Sequence, residues 1–381
     1  MIDEEVSMDI PKPEPMDTMI KARPLVENET NTENKTEHDE LKEQFGIEFS
    51  KARIIVMGVG GAGNNCINRL AEKGIKGALT YAINTDAKHL MNTKADKRIL
   101  IGRDLTKGLG AGGYPEVGRE AAKETKEEIK HELKGADLVF LTCGLGGGTG
   151  TGAIPVIAHL AKESGAIVIA VVTLPFKIEG ARIVKAEEGL AELRGACDTV
   201  IVIENQKLLK FAGDMPLKKA FGVADELIST MMKGITETIN EPSLVNLDYA
   251  DVKAVMKSGG VAAIGIGESD SPQRAQEAVM RALHHPLLEV DYKGATGALI
   301  QIIGGEDMKL EEINSIGESV NAFLDPQSQI IWGARVLPEF EGKIHVITII
   351  TGVKSPYILG PGKESATKSK DDLGIEVIRK F

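Results

Sequence analysis

Gly144-Leu145-Gly146-Gly147-Gly148-Thr149-Gly150-Thr151-Gly152 follows the apolar run DLVFLTC (137–143) and precedes an amphipathic stretch. Six glycines in nine positions lose chain entropy at each one on folding, so mere looseness explains them poorly. A glycine-rich turn from strand to helix brings backbone N–H groups up to phosphate oxygens at the positive helix end, and two threonines add hydroxyl donors. Upstream, the run RIIVMGV (53–59) enters Gly58-Val59-Gly60-Gly61-Ala62-Gly63, which fits G-x-G-x-x-G and continues into Asn64 and Asn65. Two phosphate cradles on one sheet point to a triphosphate. A third stretch, Gly108-Leu109-Gly110-Ala111-Gly112-Gly113, is placed to close over the outer phosphate. No G-x-x-x-x-G-K-[ST] run occurs, so no lysine is assigned to the phosphates, and their charge falls to amides, helix dipoles and Mg²⁺. Asp86, in Asn84-Thr85-Asp86, sits near where a dinucleotide fold places its ribose-binding acid. An NAD-dependent oxidoreductase is therefore the rival reading; the second glycine run decides against it.

Outward from these turns, LTYAIN, RILI, AIVIAVVTL and DTVIVIE read as further buried strands. Helix-like segments separate them, among them Pro115 to Lys134, where Val117, Ala121, Ile129 and Leu133 recur at multiples of four. Strand and helix in alternation imply a parallel sheet covered on both faces. From Met215 to about Asn240 the rhythm changes: Leu217, Ala220, Phe221, Ala224, Leu227, Ile228, Met231 and Ile235 make one long helical stripe. Asp248 opens another helix, and VAAIGIGE, ATGALIQIIGG, QIIWGARV and KIHVITIITGV read as a second, smaller sheet served by helices over 272–285 and 310–323. The expected fold is α/β: a Rossmann-like parallel-sheet nucleotide domain over 51–214, a long central helix over 215–240, and a smaller α+β domain over 241–356. Residues 1–50 read as a disordered acidic extension and 357–381 as a flexible tail.

The net charge of −11 is concentrated: the first fifty residues hold 14 acidic and 5 basic side chains, which leaves the other 331 nearly neutral. A neutral globular part with one Trp and five Tyr argues against nucleic-acid binding, which needs a basic footprint and stacking platforms. No run approaches the ~20 apolar residues of a membrane span, and MIDEEVSMDI is acidic where a secretory signal is basic then apolar. A cytoplasmic protein is expected. Cys66, Cys143 and Cys197 lie far apart with no zinc spacing, so they read as reduced, buried small residues and no metal ligands are assigned.

Asn246-Leu247-Asp248-Tyr249-Ala250-Asp251 places two acids three apart at a helix start. They share a face, and either N-terminal capping or acid–base chemistry would use them. The run GGGTGTG (146–152) resembles the signature shared by tubulins and FtsZ, and most of residues 51 to 353 is similar to that family in order and spacing. The resemblance implies a GTP- and GDP-binding, filament-forming GTPase with Mg²⁺ held mainly through phosphates and water. It implies that Gly60, Gly61, Ala62, Gly63, Asn64 and Asn65 form the first nucleotide loop, with Asp86 and Gly112 nearby. Gly144, Gly146, Gly147, Gly148, Thr149, Gly150 and Thr151 form the second. Glu179 would lie near the ribose with Arg182 close by, although family members usually have two residues between Glu-Gly and the arginine, and here only Ala181 intervenes. Guanine would meet Asn205 and Asp225, with Phe221 on the ring. A carboxylate accepts from both N1–H and the 2-amino group of guanine, and adenine offers no such pair. A core position on the central helix is the lesser alternative for Phe221.

By the same resemblance Asn246, Asp248 and Asp251 belong to the catalytic loop. Nineteen residues separate Phe221 from Asn240, about 28 Å along a helix, so these acids are expected to serve a neighbour's nucleotide. Such a contact is heterologous and, unless rotation closes a ring, propagates as a filament. The expected partners are other copies of the chain, in a ring at the division site. The tail lacks the usual bacterial anchoring peptide, but Leu373, Ile375, Val377, Ile378 and Phe381 offer an apolar motif for a membrane-anchor or division protein.

Overall fold

The computed structural model describes residues 52–353 except 242, 246, 258, 259, 285–291 and 293. The expected acidic extension and tail motif lie outside the described residues.

Strands β1 (Ile54–Val59), β2 (Ala78–Asn84), β3 (Lys97–Leu100), β4 (Leu138–Gly144), β5 (Ile167–Leu174) and β6 (Thr199–Glu204) pair in parallel in the order β3-β2-β1-β4-β5-β6. Successive side chains on a strand point to opposite faces. Ile55, Met57, Val139 and Leu141 accordingly enter one core, and Ile54, Val56, Leu138 and Phe140 enter the other. With apolar cores on both faces the strands read as unbroken apolar runs. Helices α1 (Gly60–Lys73), α2 (Ala87–Met91), α3 (Arg103–Thr106), α4 (Pro115–Glu124), α5 (Lys126–Leu133), α6 (Thr149–Glu163), α7 (Ala181–Ala196) and α8 (Asn205–Ala212) connect them. The segment expected as one helix over 115–134 is two. At Thr125 the hydroxyl accepts the Gly102 N–H and donates to the Ala121 carbonyl, a side-chain competition with the backbone that favours a break.

The 24-residue α9 (Leu217–Asn240) buries the expected stripe of Ala224, Leu227, Ile228, Met231 and Ile235, joined by Met232. It leads through α10 (Tyr249–Lys257) into β7 (Gly260–Ser269), α11 (Arg274–Leu283), β8 (Gly297–Gly304), α12 (Leu310–Asn321), β9 (Gln329–Val336) and β10 (Ile344–Thr351). Here β10 lies antiparallel between β7 and β8, and β9 is parallel to β8. The second sheet is thus mixed. It is also not separate: β7 pairs with β6 at Thr199–Gly260 and Val200–Val261. Arg274 fastens α11 to α12 by a bidentate contact with Glu312 at 2.7 and 2.9 Å, and it also meets Asp307.

Candidate functional site

β1 is flanked by β2 and β4, so chain order reverses there. In an open parallel sheet this reversal opens a crevice at the carboxyl ends of the strands. A cavity of about 290 Å³ occupies it, lined by Gly60, Gly61, Ala62, Gly144, Gly147, Gly148, Thr149, Gly150, Glu179 and Arg182. A second, of about 850 Å³, holds Asn65, Asn68, Arg69, Asn92, Lys94 and Asp225. Ala62, Thr173, Asn205 and Phe221 line both, making one cleft.

The small cavity is built for an anion. Both α1 and α6 begin there, and neither has an acidic residue in its first turn or a side-chain hydrogen bond at its N-cap. Their first amides therefore present unmet donors and the positive ends of two helix dipoles. The glycines divide by role. Gly60 has φ 73° and approaches the Gly150 amide, while a Cβ on Gly152 would lie 1.8 Å from the Pro115 carbonyl, so that glycine seats α6 on α4. A Cβ on Gly61 or Gly147 would meet nothing within 4 Å, and neither has positive φ. Folding does not demand glycine at those two places, whereas close approach of a ligand does.

Several expected residues support the loops rather than face the cleft. Asn64 is buried; in the amide orientation that satisfies both its ends, it donates to the Gly58 and Gly60 carbonyls and accepts from Asn84. Gly63 is buried and packs against the Thr142 carbonyl. The Thr151 hydroxyl accepts the Gly146 N–H at 2.9 Å, and Gly146 packs against Arg182. Asp86 caps α2 by accepting from the His89 N–H at 3.0 Å. These short polar groups and glycines are thus engaged by their own turns or by the chain packed directly against them. Gly112 lies exposed beside the Tyr114 ring, in a loop whose Gly113 and Tyr114 amides come against Gly148. Lys185 holds that loop, donating to the Gly113 carbonyl at 2.7 Å with its Nζ 5.4 Å from the Tyr114 ring centre. Sequence reasoning missed Lys185, because nothing local links α7 to a loop 72 residues away.

At the mouth, Glu179 and Arg182 form an ion pair at 2.7 Å, and Glu179 also accepts the Phe176 N–H. In the larger cavity the Phe221 ring stands edge-on to Phe176 at 5.6 Å and is 38% exposed, so it is no core residue. The Asn205 side-chain oxygen is buried with no hydrogen-bond partner among the described residues. Burial pushes the Asp225 carboxyl above its usual range, opposed by a hydrogen bond from Cys66 and by the charge of Arg69. Asn68, Arg69 and Glu72 were also missed, though their spacing from Asn65 puts all four on one helix face.

The acids lie elsewhere. Asp248 accepts the Asp251 N–H at 2.7 Å and so caps α10; among the described residues its other oxygen and the Asp251 carboxylate enter no ion pair. Tyr249 between them donates to the carbonyl of Asp137, the residue before β4, whereas Gly144 at the end of β4 lines the cleft. Asn240, at the end of α9, donates to the Ala52 and Gly77 carbonyls, just ahead of β1 and β2. The acid loop and the glycine loops thus sit at opposite ends of the parallel strands, roughly 20 Å apart by the rise of β4. Asn246 lies outside the described residues.

Among the described residues no group of three or more His, Cys, Asp or Glu side chains is placed to hold a metal ion, and no helix is long and apolar enough to cross a membrane. All three cysteines are buried and unbridged.

The strand order by itself is shared with dinucleotide-binding folds, but similarity to known proteins distinguishes this chain from them. Residues 53–213 match the Tubulin/FtsZ family, GTPase domain, and residues 260–354 match the FtsZ family, C-terminal domain. The chain is 61% identical over 316 residues to cell division protein FtsZ 2 of Methanocaldococcus jannaschii, covering 82% of this chain and 83% of that protein. It superimposes on the empty FtsZ dimer of M. jannaschii with a TM-score of 0.77 at 54% identity, covering 84% of this chain and 93% of that one. A GTPγS-bound protofilament of CetZ2 from Haloferax volcanii gives 0.68 at 25% identity, over 79% and 93% of the two chains. With both domains matched in order and a relative this similar over most of its length, the chain belongs to the FtsZ family of tubulin-like, GTP-binding cell-division proteins.

Proposed function

We propose that the chain binds GTP in the cleft, assembles head to tail into filaments of a division ring, and hydrolyses GTP at the junction between subunits. The observation that carries this reading is the separation of the acid loop from the glycine loops by the length of β4. No side-chain motion closes roughly 20 Å, so Asp248 and Asp251 can act only on a nucleotide held by the next subunit. The surfaces suit such a contact: Leu109 (85% exposed) stands in the loop after α3, Ile178 (94%) in a 3₁₀ turn just ahead of α7, and Leu244 (70%) just ahead of the acid loop.

In the filled junction, the amides of α1 and α6 and the Thr149 hydroxyl bind the phosphates. Asn205, Asp225 and Phe221 hold the base. From the neighbouring subunit, Asp251 and the free oxygen of Asp248 orient the attacking water and accept its proton. The glycine loops offer no carboxylate for a cation, so Mg²⁺ would be held by phosphate and water oxygens, where it neutralises developing charge. The tail after 357 is proposed to recruit a membrane-anchor or division protein to the ring. Light scattering with GTP, GDP and ATP in Mg²⁺ buffer, read alongside phosphate release, tests the reading. GTP alone should drive assembly, and release per subunit should rise with concentration. Release independent of concentration would count against a shared site.

A further inference from the structure

Cys66 follows Asn65 on α1, with its side chain turned inward and 2% exposed. It does more than fill space. Its Sγ donates to Oδ1 of Asp225 on α9 at 3.1 Å, and among the described residues this is the one hydrogen bond that the Asp225 carboxylate makes. Arg69 acts on the carboxylate only through space, since its guanidinium is turned to Glu72 at 3.2 Å and Glu226 at 3.5 Å. The backbone beneath is fixed as well, because Ser229 donates to the Asp225 carbonyl at 2.6 Å. Without Cys66 the carboxylate would be free to rotate against a half-open cleft.

Orientation matters here because a carboxylate reads guanine only when its plane lies along the edge carrying N1–H and the 2-amino group. Charge matters too: a protonated Asp225 would present O–H to N1–H, donor against donor. Burial and the adjoining carboxylate push the Cys66 thiol far up, so sulfur keeps its proton and stays a donor, while its hydrogen bond favours the ionised form of Asp225.

We propose that Cys66 is a positioning residue for base selection, its S–H holding one oxygen of Asp225 so that the carboxylate faces the guanine edge. This rests on the proposed reading of Asp225 as the guanine acceptor, and the test separates the two. Dissociation constants for GTP, ATP and xanthosine triphosphate would be measured on the full chain and on Cys66→Ala, Cys66→Val, Cys66→Ser and Asp225→Asn. Asp225→Asn should lose GTP and gain xanthosine triphosphate, whose 2-oxo group accepts from the new amide. Cys66→Ala and Cys66→Val, one smaller and one larger than cysteine and both without a donor, should weaken GTP roughly tenfold, the lower range for a hydrogen bond to a charged group, with ATP unchanged. Cys66→Ser, which keeps a donor, should restore the GTP-to-ATP ratio to within about threefold of the parent. Equal losses of GTP and ATP in the first two variants would mark simple packing and overturn the proposal. So would an unchanged ratio in them while Asp225→Asn switches base. A parent-like ratio in Asp225→Asn would overturn the base reading and the proposal together.

Discussion

The proposed sharing of catalysis between subunits permits a complementation experiment whose outcome follows from the geometry. The seven residues of β4 separate the Asp137 carbonyl, which anchors Tyr249, from Gly144 in the cleft. At about 3.3 Å per residue that is roughly 20 Å, against the ~3 Å within which a general base must approach the water it activates. On the proposed reading, a subunit's own acids therefore contribute nothing to its own GTP. Asp251→Ala should bind GTP and assemble while hydrolysis falls ~10²- to 10⁴-fold, about 3–5 kcal/mol of barrier. Thr149→Arg should fill the smaller cavity, at the position where the hydroxyl now lies 2.6 Å from that of Thr85, and lose nucleotide while keeping its acid loop. Neither variant alone should release phosphate appreciably. In an equal mixture four kinds of junction form, and only the one joining GTP on the first variant to acids on the second is complete. Random head-to-tail assembly thus predicts up to about a quarter of the parent rate. Phosphate release would be followed across total concentration, with sedimentation confirming co-assembly. If the co-sedimenting mixture released no more than the sum of its parts, sharing would be refuted.

Asp225→Ala should weaken GTP binding by a few kcal/mol, since a charged acceptor on the base edge is lost; equal affinity of the parent for ATP and GTP would contradict that base reading. Gly61→Ala should leave the melting temperature unchanged yet reduce nucleotide affinity, whereas Gly152→Ala should lower the melting temperature by several degrees because its Cβ would collide with the Pro115 carbonyl. Scanning calorimetry with and without GDP distinguishes them, and the opposite assignment of the two effects would refute the division of roles among the glycines. Arg274 holds the Glu312 and Asp307 carboxyls below their usual range. Groups with depressed folded-state pKa values stabilise above the unfolded value and lose that contribution as pH falls through the folded one. Arg274→Gln should therefore melt below the parent at pH 7, with the gap closing as the pH falls below about 4; a gap that persists at low pH would show that packing alone is at stake.

The inner strands β1, β4 and β5 were legible because they are buried on both faces, so that burial writes itself as continuous apolar runs; the half-exposed edge strand β9 was legible too, and QIIWGARV corresponds to it residue for residue. The central helix was legible because its stripe keeps one period over 24 residues. The break at Thr125 was not, since it depends on a partner at Gly102 that no local pattern announces. The site divides in the same way. Glycine loops between strand and helix state their own chemistry, but which glycine faces a ligand and which seats a helix depends on what stands opposite. Asn64, Thr151 and Asp86 look like ligand contacts in sequence and turn out to be engaged by neighbouring parts of the chain.

Composition, periodicity and two strand-to-helix glycine turns determined that this chain would be an α/β protein with a phosphate-binding crevice, because those properties follow from residues within a few positions of one another. The length of the central helix already set the acids far from the cleft, but tertiary structure alone decided that Cys66 meets Asp225 across 159 positions and that Lys185 holds the Tyr114 loop. Each of these is a distance between segments remote in sequence, and only packing the helices against the sheet sets such distances.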